Sequence, residues 1–221
     1  MKHLQRDLEQ LKKDILTYGA MVEESINGAI TALLTRRSDL AQEIIQGDDK
    51  LDQREVAIEE FCLKVLALHQ PVAVDLRFII AVMKVNNDLE RMGDLAVNIA
   101  ERARYLSTHD PLQGPLDFSA MTRSVQAMVR ESLDALIHLD TALARQVLTE
   151  DEEVDDMNRG MYDVLQKIMA EDPSTIKRAV HTLSASRHLE RIADLATNIA
   201  EDVVFMVDGD IVRHQSEDYE E

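Results

Sequence analysis

The sequence predicts an all-α protein made of two tandem three-helix bundles related by pseudo-twofold symmetry. Three observations favour this fold class: a stretch near residue 90 returns about one hundred residues later, the four prolines interrupt long helix-compatible segments, and apolar residues recur at helical spacing between them. The chain has 221 residues. That length suits two units of similar size, each able to bury a modest core.

The repeated stretch is DLERMGDLAVNIAER at residues 88–102, which returns as HLERIADLATNIAED at residues 188–202. At about 100° per residue, a helix places one apolar seam on the first copy. The seam consists of Val85, Leu89, Met92, Ala96, Ile99 and Ala103. The polar stripe on the opposite side consists of Glu90, Asp94, Asn98 and Glu101, and the same four residue types recur in the second copy. Acidic residues four apart on a helix repel, so we expect positive charge to lie between them.

The first half is predicted to contain three helices. Helix 1 covers residues 2–36, where apolar side chains keep helical spacing. Asp39 and Gln42 have the spacing of an N-cap and capping box, which would open helix 2. Pro71 then interrupts the chain. Helix 3 covers about residues 72–107 and carries the first copy of the repeated stretch.

The second half repeats this plan. Helices 4 and 5 are predicted at about residues 118–138 and 140–170. Asp172 and Pro173 suit the N-cap and first residue of helix 6, which would end near Gly209.

The predicted boundary between the halves is residues 108–117, which hold two prolines and a glycine. The expected domains are therefore residues 1–109 and residues 110–221, the second ending in a short acidic tail. Long helices joined by short turns pack as antiparallel bundles. Each domain is accordingly expected to be one three-helix bundle.

The charge balance limits the possible partners. With 24 Lys and Arg against 42 Asp and Glu, the formal charge is −18, which argues against nucleic acid and favours cations or basic protein surfaces. Cys62 is the single cysteine, so no intramolecular disulfide can form and a reducing compartment fits. We find no signal-like or membrane-spanning apolar run. The protein is expected to be cytoplasmic, meeting membranes only through protein partners.

A second acidic pair precedes the repeated stretch in each half. The pairs are Asp48 with Asp52 in helix 2 and Asp151 with Asp155 in helix 5. In each, an aliphatic residue, Leu51 or Val154, comes just before the second aspartate and can face the core. Both carboxylates of a pair then lean toward the same flank of their helix.

If helices 2 and 3 are antiparallel neighbours, each half brings four carboxylates together. The candidate metal ligands are Asp48, Asp52, Glu90 and Asp94 in the first half and Asp151, Asp155, Glu190 and Asp194 in the second. Asn98 and Asn198 could each add an oxygen. Hard oxygen ligands suit Mg, Mn, Ca or oxidised iron. The alternative is an ordinary solvated face, an interpretation to which residues 150–156, with six acids in seven positions, are especially open.

The histidines favour no metal site of their own. The sequence contains no Glu-x-x-His, which argues against a ferritin-like di-iron bundle. His181 and His188 have no counterparts in the first half, where Ala81 and Asp88 stand instead, so we interpret both histidines as structural.

An enzyme is the competing hypothesis. Asp48, Asp49 and Asp52 match the DDxxD motif by which all-α isoprenoid synthases hold magnesium diphosphate, but the second half has Glu152 at the middle position. Aromatic content is only 4%, too low to favour a prenyl pocket. An all-α nucleotide pyrophosphohydrolase, which also uses acidic helix pairs, is the other Mg-dependent candidate.

Several motifs together resemble the PhoU family, the phosphate-uptake regulators that accompany bacterial phosphate-specific ABC transporters. The main ones are LERMGD at residues 89–94 and LERIAD at residues 189–194, each followed shortly by NIAE. Further matches are MVEESI at 21–26, EVAIEEFC at 55–62, QPVAVDLR at 70–77 and AEDP at 170–173. Ala193 replaces the glycine usual in the second motif, a one-methyl change of little expected consequence.

The resemblance implies two three-helix bundles whose Glu/Asp-x-x-x-Asp motifs bind metal in some members, at the eight carboxylates named above. It also implies a non-enzymatic role and a homodimer. Such a protein represses phosphate-starvation signalling through the transporter's ATPase subunit and the sensor histidine kinase. A chain of this charge with no glycine-rich phosphate loop is expected to be a poor direct phosphate receptor.

Overall fold

The structure is a computed structural model that describes residues 2–209. Within that range the chain forms six α-helices and one short 3₁₀ turn, joined by brief connections, which confirms the all-α prediction. The helices are α1 (Lys2–Thr35), α2 (Ser38–His69), α3 (Ala73–Ser107), α4 (Ser119–His138), α5 (Thr141–Glu171) and α6 (Ile176–Asp208), with the 3₁₀ turn at Pro173–Thr175. The predicted acidic tail, residues 210–221, lies outside the described residues.

The six helices form two bundles of three that share one hydrophobic core. α1, α2 and α3 pack together, as do α4, α5 and α6, and α3 packs against α6 at the centre. Because the buried side chains of both halves join there, the main core is continuous across the molecule. A smaller cluster around Leu165 lies in the second half alone.

The apolar seam of α3 is buried as its spacing predicts. Each of its six residues is at most 1% exposed. Leu51 and Val154, the aliphatic residues beside the acidic pairs, are also buried. Because these two side chains face the core, the neighbouring acidic pairs lie at its edge. Cys62 is fully buried, and burial raises the pKa of its thiol to about 12. It is a core residue.

The start of α2 corrects one sequence prediction. The helix begins at Ser38 with Arg37 in the N-cap position, and no side chain caps it. Asp39 lies inside the first turn, where its carboxylate accepts hydrogen bonds from the Arg37 guanidinium at 2.5 and 3.2 Å. The capping box was therefore wrong, because the ion pair with Arg37 holds the carboxylate that the box requires.

The caps of the second half follow the prediction more closely. The Asp140 carboxylate accepts from two backbone amides and caps α5. Asp172 accepts from the Ser174 amide, and Pro173 follows it. This cap opens the 3₁₀ turn, so α6 proper begins at Ile176, three residues later than predicted. Gly209 ends α6 at φ 82°, a left-handed conformation that glycine adopts without strain.

α3 and α6 lie antiparallel, because the early part of each contacts the late part of the other. At one end, Lys84 Nζ lies 2.9 Å from the Asp202 carboxylate, whose side chain is only 2% exposed. At the other end, the Tyr105 ring stacks on His181 with a centroid separation of 3.7 Å. These contacts fix the register of the two central helices and therefore the relative position of the two halves.

Within residues 2–209, no helix combines the length and apolar character that crossing a membrane requires.

Candidate functional site

In the first half, α2 and α3 place acidic side chains opposite one another. Asp48 faces Asp94, and the Asp48 carboxylate comes within 4.0 Å of the point that a Cβ on Gly93 would occupy. One turn away, Asp52 faces Glu90. We call these four carboxylates the first ladder. Its two rungs connect neighbouring helices.

The second half repeats the arrangement between α5 and α6. Asp151 faces Asp194, and Asp155 faces Glu190. We call these four carboxylates the second ladder. The repeated sequence thus becomes a repeated constellation, with corresponding residues at corresponding rungs.

Like charge and partial burial disfavour ionisation of the first ladder. Burial, followed by the charges of Asp52, Asp94 and Asp49, raises the pKa of Asp48 to about 6. Burial and the charge of Asp94 also raise the pKa of Glu90. These shifts have the sign expected when carboxylates share a small space without enough positive charge.

The second ladder shows the same perturbation with an additional feature. Burial and the charges of Asp194 and Asp155 raise the pKa of Asp151 to about 6. The Oδ1 atom of Asp151 is buried and has no hydrogen-bond partner. A buried carboxylate oxygen without a partner is costly. It is also a ready ligand for a cation.

The donor set of both ladders fits a hard metal ion, because every rung offers carboxylate oxygens. In the conformation described for residues 2–209, no three His, Cys, Asp or Glu side chains converge on one point. The charges of the acids act on one another across each helix pair, and Asp52 acts on both Glu90 and Asp94. An ion that uses more than one rung therefore requires rotation of side chains within the ladder.

One carboxylate of each ladder, Asp94 or Asp194, lines a central groove. This groove, of about 360 Å³, lies between α3 and α6 and is lined by corresponding residues of both halves. They are Arg91, Asp94, Leu95 and Asn98 with Arg191, Asp194, Leu195 and Asn198. The amide of Asn98 donates to the Asp94 carbonyl of its own helix at 2.9 Å.

A third layer, which the sequence analysis missed, continues each ladder by one turn. In the first half, Asn86 Nδ2 donates to Glu55 Oε1 at 3.1 Å. In the second half, Ser186 Oγ donates to Asn158 Oδ1 at 2.7 Å. The sequence feature that could have revealed this layer is the spacing between Asp52 and Glu55. Glu55 follows Asp52 by three residues on α2 and therefore shares its face.

The histidines of α6 occupy packing positions. His181 stacks on Tyr105, and His188 Nε2 lies 3.1 Å from Ser184 Oγ. Burial, together with the charge of Arg102, lowers the pKa of both imidazoles. Neutral, packed rings agree with the interpretation of both residues as structural.

Two helical repeats with one acidic ladder in each define a tandem-repeat helical protein. The PhoU domain family model matches the chain twice, over residues 15–103 and 118–203. The chain therefore belongs to the PhoU family.

Individual relatives agree over nearly the full length. The phosphate-specific transport system accessory protein PhoU homolog of Aquifex aeolicus is 42% identical over 210 residues, 95% of each chain. The crystal structure of PhoU from Pseudomonas aeruginosa has a TM-score of 0.90 at 39% identity, over 93% of this chain and 99% of that one. The phosphate transport system regulatory protein PhoU from Streptococcus pneumoniae gives 0.83 at 29% identity, over 95% and 99%.

These relatives are accessory and regulatory proteins of phosphate transport. The chain is accordingly a phosphate transport accessory protein, and its family is regulatory rather than enzymatic. The Mg-dependent enzyme considered from the DDxxD spacing is set aside on this ground. Its acidic motif belongs to the ladder that the family fold repeats.

Proposed function

We propose that this chain is a cytoplasmic metal-binding adaptor that negatively regulates phosphate uptake and phosphate-starvation signalling. It acts by contacting the ATPase subunit of a phosphate ABC transporter and a sensor histidine kinase. Family membership supports the regulatory role. The observation that carries the metal-binding part is the duplicated ladder of facing carboxylates, whose mutual repulsion persists in both halves.

The metal would be a divalent or trivalent ion held by carboxylate oxygens, such as Mg, Mn, Fe or Ca. In the first half its ligands would come from Asp48, Asp52, Glu90 and Asp94, and in the second from Asp151, Asp155, Glu190 and Asp194. Bound metal would supply the positive charge that the ladders lack. The chain's own contribution is to hold two helices at the spacing that brings the acids face to face.

The partners would meet the adaptor through basic surfaces, because the chain carries a formal charge of −18. We expect a homodimer, no binding to nucleic acid and a peripheral position at the membrane. The approach of charged surfaces is screened by salt, since the Debye length falls from about 10 Å at 0.1 M to about 3 Å at 1 M.

The metal sites are tested with the double variant Glu90→Gln/Glu190→Gln. With chelator, it should melt at or slightly above the wild-type temperature, because each change removes a like-charge neighbour worth a few tenths of a kcal/mol. With millimolar Mg, Mn or Fe, the wild type should gain stability, by about 2.7 kcal/mol at one hundred times Kd. The variant should lose much of that gain.

The matched control is Glu60→Gln/Glu171→Gln, which removes two exposed acids from α2 and α5 outside the ladders. It should respond to metal as the wild type does. Equal metal responses in the wild type and the ladder variant would show that the ladders are ordinary solvated faces.

The partner surface is tested with the purified transporter ATPase subunit. We expect capture of the ATPase by this chain at 0.1 M salt and a large loss at 1 M, because screening removes most of the attraction between exposed charges. Capture that is unchanged by salt would contradict a mainly electrostatic interface.

A further inference from the structure

We infer that the two ladders are not equivalent sites. The first is the tighter one for a highly charged, hard cation, because Glu55 extends it to five carboxylates and the buried hydroxyl of Tyr18 lies beneath it. This inference rests on the proposed metal-binding function and concerns which residues set the preference of each site.

The additional carboxylate is placed by the third layer of the first half. Asn86 Nδ2 donates to both the side-chain oxygen and the backbone oxygen of Glu55, each at 3.1 Å. Glu55 is thereby held on the α3 side of α2, one turn beyond the rung formed by Asp52 and Glu90. The charge of Glu55 acts on Glu90, and the charges of Glu59 and Asp52 act on Glu55. Glu55 therefore belongs electrostatically to the first ladder.

α1 contributes a buried tyrosine, Tyr18, near the first ladder. Tyr18 is 0% exposed, and its hydroxyl oxygen is buried without a hydrogen-bond partner. Burial and then the charges of Glu55, Glu90, Asp52 and Asp48 raise the pKa of this phenol. Four acids of the extended ladder therefore act on one buried hydroxyl.

A second buried oxygen accompanies Tyr18. Asn86 is 2% exposed, and its Oδ1 atom has no hydrogen-bond partner even though its Nδ2 atom is bonded twice. Buried polar atoms are nearly always paired. The two orphaned oxygens, on α1 and α3, lack the partner that a ligand of positive character would supply.

The second half has neutral residues at all three corresponding positions. Asn158 replaces Glu55, Ser186 replaces Asn86, and Met121 replaces Tyr18. Ser186 Oγ donates to Asn158 Oδ1 at 2.7 Å and also lies 3.5 Å from Met121 Sδ. This layer satisfies itself and adds no charge, so the second ladder keeps four carboxylates.

The difference in ligand charge sets the expected order of filling. Affinity of oxygen sites for hard cations rises with the number of charged ligands. A site with five carboxylates and a phenol nearby favours a trivalent ion over a divalent one more strongly than a site with four carboxylates, a thioether and an amide. The first ladder should therefore fill first, and its advantage should be larger for trivalent ions.

The test titrates the full chain with Tb³⁺, a hard trivalent ion that emits when a nearby tyrosine absorbs. Wild type should show two phases, with tyrosine-sensitised emission in the tighter one. Tyr18→Phe should lose most of that emission and weaken the tighter phase, because it removes the buried hydroxyl as well as the sensitising ring. Glu55→Gln, which keeps the amide partner of Asn86, should weaken the tighter phase about tenfold or more. A matched control, Glu60→Gln, removes an exposed acid of α2 outside the ladder and should change nothing.

The reciprocal variant Asn158→Glu gives the second ladder a fifth carboxylate and should tighten the weaker phase. Circular dichroism checks that each variant is folded, and competition with Mn²⁺ should displace Tb³⁺ from the second ladder first. Two equal phases in wild type, or a tighter phase unaffected by Glu55→Gln, would overturn this inference and leave the proposed function standing. No saturable binding at all would overturn both.

Discussion

Among individual residues, Asp48 and Asp151 hold corresponding positions, and the pKa of each is raised to about 6 by burial and neighbouring carboxylates. In the unfolded chain these carboxyls would titrate near their ordinary value of 3.8. Above pH 6 both are ionised in the folded state as well, and the full electrostatic penalty is present. As the pH falls through 6 toward 4, the folded state takes up protons before the unfolded state does, and the penalty disappears.

In chelator, the double variant Asp48→Asn/Asp151→Asn removes this electrostatic penalty. It should be more stable than wild type at pH 7.5, and this advantage should shrink toward zero near pH 4. Urea unfolding at a series of pH values measures the difference. His181 and His188 oppose the trend in absolute stability, because their pKa values are lowered, but they are present in both proteins and cancel. An advantage independent of pH would contradict the assigned cause.

For the helices, the sequence was a good guide wherever apolar periodicity was long. The seam of α3 and the core-facing Leu51 and Val154 were predictable, because a helix of more than thirty residues averages out local irregularities. The starts of helices were harder to predict. Asp39 has the spacing of a cap, yet a neighbouring arginine engages its carboxylate, and nothing in the pattern distinguishes these two outcomes.

The ladders themselves could be predicted because duplication makes the signal visible twice. Glu55 could be found only by its spacing from Asp52, and Asn86 and Tyr18 could not be predicted, for the opposite reason. Each has a different residue type at its corresponding position, so comparison of the two halves conceals them. Tyr18 also comes from α1, and its contribution depends on how a third helix packs beneath the first two, which spacing within one helix does not encode.

At the scale of the whole molecule, the halves look separable by sequence, but they share one core. The predicted domains, residues 1–109 and 110–221, meet where α3 packs against α6. Separating them would expose apolar surface on both helices. Their stability as isolated units is therefore expected to be lower than that of the intact chain.

Cutting the chain within residues 108–117 separates the two bundles. Each fragment, of roughly 110 residues, should be helical by circular dichroism, because it contains a complete three-helix bundle of sufficient size. Mixing the fragments should raise the melting temperature above that of either one. If neither fragment shows helical signal, alone or mixed, the two-bundle organisation is wrong.

The ion pair between Lys84 and Asp202 has a consequence for which fragments can associate. When the two halves of the sequence are aligned, Ser184 occupies the position of Lys84, and Arg102 occupies the position of Asp202. A pair of first halves would place Lys84 against Arg102, a like-charge contact, and a pair of second halves would place Asp202 against a serine. Only a first half joined to a second half forms the pair at 2.9 Å. The central interface thus favours contact between unlike halves over contact between like halves. Within one chain, the two repeats associate as the two different subunits of a heterodimer do.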